Sequence, residues 1–427
     1  MIKSKFATRF FTTVTALLLG CVSSHAADWL NLPAKQGTAN GKTIVLVSGD
    51  EEYRSEESCP MLAKILSQKF GFNCVVLFAI NPDGGYIDPN FRKNIPGLSQ
   101  LDSADLLIIG TRFRELPADQ LAHFANFLDA GKPVIGFRTA THAFTGPAMT
   151  GDFKWSAFGI NILGEKWVNH HGKHKSEGTR SIVEAANATN EILQGVGEIF
   201  ATTDVYGIAN LDQHAATILL RGAVTQSLDP SSKNVEGPQN SPMMPLAWLR
   251  DYTAPNKTAK GKAFCTTLGA SMDFADEDLR RLFINASLHL TGLKVPAKAD
   301  VNVVDPFNPS GYSAINDKDF YKNRNLKPDD YALGKSPATQ PKTEEAENIH
   351  RHAPSIDPAN AIMVRPQTVA APALGERLVL LGNGLAERDL YCNRLEGEFY
   401  LRYPNQQLII RNMGRPGDTP GFRPHPS

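Results

Sequence analysis

Residues 133–142 read Pro133-Val134-Ile135-Gly136-Phe137-Arg138-Thr139-Ala140-Thr141-His142. An apolar run of strand length stops at a polar, turn-forming segment. In chains that alternate strands and helices, such a junction mounts a nucleophile at the top of a sheet. Here the mounted residue is Arg138, which stays protonated and cannot attack an electrophile. The sequence offers the geometry of an active site without a Ser or Cys to be acylated.

The flanking sequence sets the class. Thr43 to Val47 is a continuous apolar run ending at Ser48-Gly49, the pattern of a strand buried on both faces. Met61, Leu62, Ile65, Leu66 and Phe70 share a helical face, with Pro60 in the first turn and Gly71 as the stop. Cys74 to Ile80 and Asp105 to Ile109 read as further strands, separated from Pro133–Phe137 by a helix opening at Pro117. Apolar runs at Ala216–Leu220, Pro245–Leu249 and Lys262–Thr267 follow, then a closing helix after Asp276-Glu277-Asp278. Acids there suit the positive end of a helix dipole. Strands alternating with amphipathic helices predict an α/β fold with a doubly wound, mainly parallel sheet over about residues 41–295.

The ends differ. Lys3, Lys5 and Arg9 precede the apolar Val14–Leu19, and Ser24-His25-Ala26 supplies small residues for cleavage. Residues 1–26 read as a signal peptide, so export to the periplasm or beyond is expected. Leu18-Leu19-Gly20-Cys21 is an alternative lipid-attachment box. No later run is long enough to span a bilayer. Residues 296–372 are polar and rich in Pro, a linker unable to order itself alone, though parts around Phe307, Tyr312, Phe320 and Tyr321 could wrap over the domain. Residues 373–427 hold one incomplete α/β unit, too short for its own core. It either docks on the first domain or belongs to a longer chain.

The formal net charge of +0 gives no basic face, which argues against a nucleic-acid partner. Cys59, Cys74, Cys265 and Cys392 lack C-x-x-C spacing, so neither zinc nor redox chemistry is indicated by them; a Cys59–Cys74 bridge and buried free thiols both remain open. No cofactor is implied.

Ligands of doubly wound sheets bind at the carboxyl ends of the strands. Three segments meet there: Asp50-Glu51-Glu52-Tyr53-Arg54, Gly110-Thr111-Arg112 and Arg138–His142. Carboxylates, guanidinium groups and an imidazole suit a polyhydroxyl or anionic ligand. Asp50 or Glu52 is the expected carboxylate, His142 or His170 the proton-transfer partner, Arg138 a positive charge for an oxyanion, and Arg54 and Arg112 ligand contacts. Trp155 and Trp167 could stack on sugar rings. The segment Asn169-His170-His171-Gly172-Lys173-His174 places His170 and His174 at helical zinc-pair spacing, but Gly172 weakens a helix and no third ligand is evident, so no metal is expected. Each group also has an ordinary reading: a solvated acidic loop, a structural ion pair, packing tryptophans.

Gly136-Phe137-Arg138-Thr139-Ala140 resembles the elbow of class I glutamine amidotransferases, with Arg138 at the cysteine position and Ala140 at the second glycine. Amidotransferase chemistry is therefore not expected. The wider pattern, Ile44–Gly49, Leu246-Ala247-Trp248, Gly261–Phe264, Thr266–Gly269 and Leu279–Leu282 with Asn285, resembles the ThuA-like, trehalose-utilisation family. That resemblance implies a small-molecule carbohydrate partner. Where relatives carry a histidine after Leu-Gly, this chain has Ala270. Gly382-Asn383-Gly384-Leu385 and Asn412–Thr419 resemble the first two blocks of an SGNH, or GDSL-like, hydrolase, with Gly384 replacing the serine. The two missing nucleophiles favour, as the rival expectation, a non-catalytic carbohydrate-binding or scaffold protein.

Overall fold

A computed structural model describes residues 28–337, 356, 358, 377–380, 399–401, 404–405 and 407–412. The leader residues 1–26, the block Gly382–Leu385, Cys392 and the segment Met413–Thr419 lie outside them.

In chain order the large sheet contains β1 (Leu30–Leu32), β2 (Thr43–Gly49), β3 (Asn73–Phe78), β4 (Leu106–Thr111), β5 (Val134–Phe137), β6 (Thr179–Val183), β7 (Phe200–Ala201), β8 (Thr217–Val224), β9 (Met244–Thr253) and β10 (Lys260–Thr266). Their spatial order is β1-β3-β2-β4-β5-β10-β9-β8-β6-β7. Pairings from β3 through β2, β4 and β5 to β10 are parallel. Beyond β10 the sheet continues antiparallel through β9, β8, β6 and β7, and β1 closes the other edge antiparallel. The short strands β1, β6 and β7 carry too little apolar run to stand out in the sequence.

Helices α1 (Ser55–Phe70), α2 (Ala118–Asp129) and α3 (Glu277–Leu290) cover the sheet. Ile44 and Leu46 of β2 pack with α1 and α3, while Val45 and Val47 pack on the α2 side. Alternate side chains thus enter two cores, which is why the strand reads as one unbroken apolar run. Each fully buried Leu, such as Leu62 or Leu66, contributes roughly 1.5–3 kcal/mol. Helix α1 begins a turn earlier than its apolar stripe predicts, so Pro60 sits inside it and not in its first turn. The first turn is polar, with Glu56 and Glu57, yet buried. Asp276 caps α3 by accepting from Asp278 N and Leu279 N.

The chain that buries Glu56 and Glu57 is the start of the polar segment. Val295, Val301, Val303, Phe307 and Tyr331 join the α1-side core. Ser310 N donates to Glu57 Oε2 at 2.8 Å, and Lys64 pairs with Asp305 at 2.6 Å. A short helix α4 (Phe320–Arg324) follows, with Tyr321 buried. Residues 296–337 therefore form a wrap that is ordered by the surface it covers.

Residues 362–427 form a separate unit. In it β11 (Arg377–Leu380) pairs in parallel with β12 (Ile409–Asn412). Among the described residues no helix is long and apolar enough to cross a membrane. Cys59, Cys74 and Cys265 are free and buried, which settles the open pairing of Cys59 with Cys74, and burial pushes their thiols up.

Candidate active site

Strands β3 and β4 lie on opposite sides of β2. The order of winding switches there, from one side of β2 to the other, and the carboxyl edge at such a switch point is where open α/β sheets bind ligands. The loop after β5 crosses the same edge. Its first residue, Arg138, has φ 44°, a left-handed conformation rare for a side chain with a Cβ. The strained turn of a nucleophile elbow is therefore present with a guanidinium on it.

That guanidinium faces inward. Arg138 Nη1 donates to Asp204 O at 2.8 Å and Thr267 O at 2.9 Å; Nη2 donates to Asp204 Oδ1 at 3.0 Å and Tyr53 Oη at 3.2 Å. The Tyr206 and Tyr53 rings lie 3.8 and 4.5 Å from its Cζ. Arg138 is 0% exposed, so it organises the site from beneath and does not reach a ligand oxygen. Asp50, 2% exposed, is likewise committed: Oδ1 accepts from Glu52 N and Tyr53 N, and Oδ2 from Thr139 Oγ1. It ties the β2 loop to the β5 loop. Arg54 is buried against the wrap, donating to Glu51 O, Tyr321 Oη and Ser313 O. Trp155 is buried among Phe124, Phe144 and Phe153, so it is a packing anchor and not a sugar platform. These four corrections share a cause: each side chain has at least one partner that its local sequence does not show, Asp204 for Arg138, Thr139 for Asp50, Ser313 for Arg54 and Phe124 for Trp155.

The remaining expected residues do converge. Arg112 Nη1 lies 2.9 Å from Glu52 Oε2 and 3.3 Å from Glu51 Oε1, and Arg114 holds the other Glu51 oxygen at 3.1 Å. Glu52 Oε1 is 3.2 Å from His174 Nε2. His174 Nδ1 is 2.8 Å from Asp204 Oδ1, and His170 Nδ1 is 2.7 Å from Asp204 Oδ2. The His170 and His174 rings are 4.1 Å apart. Trp167, 40% exposed, bridges His170 and His142 at 5.7 and 5.9 Å, and Phe113 closes the row 5.0 Å from His142. Glu52, Arg112, His142, Trp167, His170 and His174 thus line one rim.

A family model described as ThuA, trehalose utilisation, matches residues 93–290. The domain is ThuA-like. The match spans Arg112, Arg138, His142, His170, His174 and Asp204, whereas Glu52 precedes it. Among solved structures, a ThuA-like protein from Parabacteroides merdae is 15% identical with a TM-score of 0.40, covering 60% of this chain and 93% of its own. A ThuA-like protein from Bacteroides uniformis is 13% identical with a TM-score of 0.38, covering 63% and 98%. No curated protein matches the chain.

The rim of this ThuA-like domain is electrostatically polarised. Burial disfavours the Glu52 carboxylate, but the His174 N–H and Arg112 outweigh it and hold the group at about 2. Asp204 is also penalised by burial and is kept ionised by Arg138, His170 and His174. Burial lowers His174 as well, yet the hydrogen bonds to Asp204 and Glu52 raise it overall. His142 goes the other way: burial, then Arg112 and Arg138, hold it down at about 3. Its imidazole is neutral at ordinary pH, with Nδ1 3.2 Å from Thr141 Oγ1.

Asp204, Tyr206 and Tyr312 were not anticipated as site residues; Tyr53 was named only within the Asp50–Arg54 segment, and His174 only as half of a zinc-spaced pair. Asp204 stands in Ala201-Thr202-Thr203-Asp204-Val205-Tyr206, where every neighbour is buried. An acid inside such a run needs a buried partner, and that was the available signal. Asp273, on the turn after β10, accepts from Thr203 Oγ1 and from Gly269 N and Ala270 N, fixing the segment that delivers Asp204. Residues 169–172 pair with the same segment: His171 N donates to Val205 O and Gly207 N to Asn169 O. The wrap supplies Tyr312, which donates to Thr202 O at 2.8 Å and packs 5.7 Å from His174.

Proposed function

We propose that this ThuA-like protein is exported and acts on a carbohydrate by proton transfer, without a covalent enzyme intermediate. The observation that carries the reading is the rim itself. An ionised carboxylate, a guanidinium, three imidazoles and an exposed indole share one edge, directly above an elbow that holds no nucleophile. Carboxylate and guanidinium recognise hydroxyls, and the Trp167 face suits the apolar side of a pyranose ring.

A keto-sugar uses these groups best. Loss of a proton beside a carbonyl develops negative charge on the carbonyl oxygen, and a neutral imidazole is a suitable donor to it. His142 supplies that donor from the ring nitrogen not facing Thr141. The ionised Glu52 carboxylate takes up the proton that leaves the carbon and returns it when the carbonyl re-forms. Arg138 contributes from below, by fixing Asp204 and with it His170 and His174. The leader at residues 1–26 supports export.

The test is to incubate the mature protein with disaccharides and their 3-keto forms and follow products by chromatography. Turnover of a keto form that His142→Ala and Glu52→Gln abolish supports the reading. Calorimetric binding without turnover assigns the domain to carbohydrate capture. The absence of both binding and turnover across the panel removes the carbohydrate reading.

A further inference from the structure

We propose that His170, His174 and Asp204 bind one divalent transition-metal ion of the zinc class. One nitrogen from each ring and the Asp204 carboxylate lie within 4.8 Å of one another. Two imidazoles and a carboxylate are the donor set of open zinc sites, in which a further position is left for water or substrate. The sequence shows the His170–His174 pair, and the fold supplies the third ligand from a segment 30 residues beyond His174.

The surroundings are those of a built site. His174 presents Nδ1 to the cluster and its other nitrogen to Glu52. A ligating histidine normally gives its far N–H to a carboxylate, which orients the ring and raises its basicity. Asp204 is itself oriented, since Arg138 Nη2 and Nη1 grip its Oδ1 and its backbone oxygen. That leaves Oδ2, whose partner is His170 alone, as the oxygen facing the ion. The carboxylate is fully buried, while the His170 and His174 side chains are 33% and 23% exposed, so an ion has a path in from solvent. The loop does not need a helix: its pairing with residues 205–207 sets the two rings side by side, and the Gly172 backbone passes close over Asp204, where a Cβ would lie 3.3 Å from the Asp204 Cβ. Binding displaces the Nδ1 protons that now lie between the rings and Asp204.

Metal binding stands on this geometry alone; its use in catalysis rests on the carbohydrate reading above. There the ion would polarise a sugar oxygen lying beside His142 and Glu52.

The experiment is calorimetry on the chelator-treated full chain, with Zn²⁺ as titrant, and absorption spectroscopy with Co²⁺. The expected result is one ion per chain with proton release, and a visible Co²⁺ d–d band. His170→Ala and His174→Ala abolish both signals while the circular dichroism melt stays cooperative. Glu52→Gln weakens binding by roughly 10–100-fold, as for other partners of ligating histidines. Absence of stoichiometric binding to the wild type, or undiminished binding in the two histidine variants, overturns the proposal. Sugar turnover is measured separately with and without metal. Turnover that is unchanged after metal removal ends the catalytic use of the ion and leaves the carbohydrate reading intact. Metal binding with neither turnover nor capture of any sugar leaves the metal site standing and removes the carbohydrate reading together with the ion's use in it.

Discussion

Arg138 Nη2 and Asp204 Oδ1 are 3.0 Å apart, and neither side chain reaches solvent. The residue that replaces a nucleophile on the elbow is therefore the foundation of the rim above it. Removing one member of such a pair strands a buried charge. Arg138→Met is expected to cost about 3–5 kcal/mol. Urea unfolding measures it, and a midpoint equal to wild type would show that the guanidinium is not structural.

His142 is expected to remain neutral through the physiological range, because burial and the guanidinium groups of Arg112 and Arg138 oppose its protonation. Its ring resonances should stay flat between about pH 5 and pH 8, where an ordinary histidine titrates. Arg112→Ala removes one of the opposing charges and moves the titration upward. The measurement is an NMR pH series on both proteins.

The contribution of Glu56 to stability should fall as pH rises from about 4.5 to about 7, while His142, held down at about 3, contributes the opposite trend below about 6.5. Burial lifts Glu56 from 4.5 to about 7, against the opposing pull of Arg54 and with the help of Glu57. Arg324, Tyr321 and Tyr331 face the same cluster. The folded carboxyl binds its proton more tightly than the unfolded one, so this contribution is fully present below about pH 4.5 and is lost as pH rises to about 7. The loss is on the order of 3 kcal/mol. Urea midpoints of wild type and Glu56→Gln across that range read the contribution as their difference, and a difference that does not change with pH would contradict it.

The wrap should be part of the site and not a tether. Tyr312→Phe loses the hydrogen bond to Thr202 O and is expected to cost about 1 kcal/mol. Tyr312→Ala also removes a ring packed against Tyr53 and His174, for about 3–5 kcal/mol. Thermal melts of the two variants separate these contributions.

The parallel half of the sheet was legible because β2, β4 and β5 are buried on both faces and read as unbroken apolar runs. Convergence of Glu52, Arg112 and His142 followed from where those strands end. What local pattern could not reveal was which charged groups are spent internally. Arg54 and Arg138 look alike in sequence to Arg112, and only partners such as Ser313 and Asp204 distinguish them. Glu56 and Glu57 hid the start of α1, since their burial depends on a wrap more than two hundred residues later. Trp155 went the same way, its apolar shell coming from α2 and the loop after β5.

The most direct test is a crystal structure of the mature protein soaked with a 3-keto-disaccharide. The account predicts a sugar ring against Trp167, its hydroxyls on Glu52 and Arg112 and its carbonyl oxygen beside His142. A sugar seated elsewhere, with this rim empty, would contradict it.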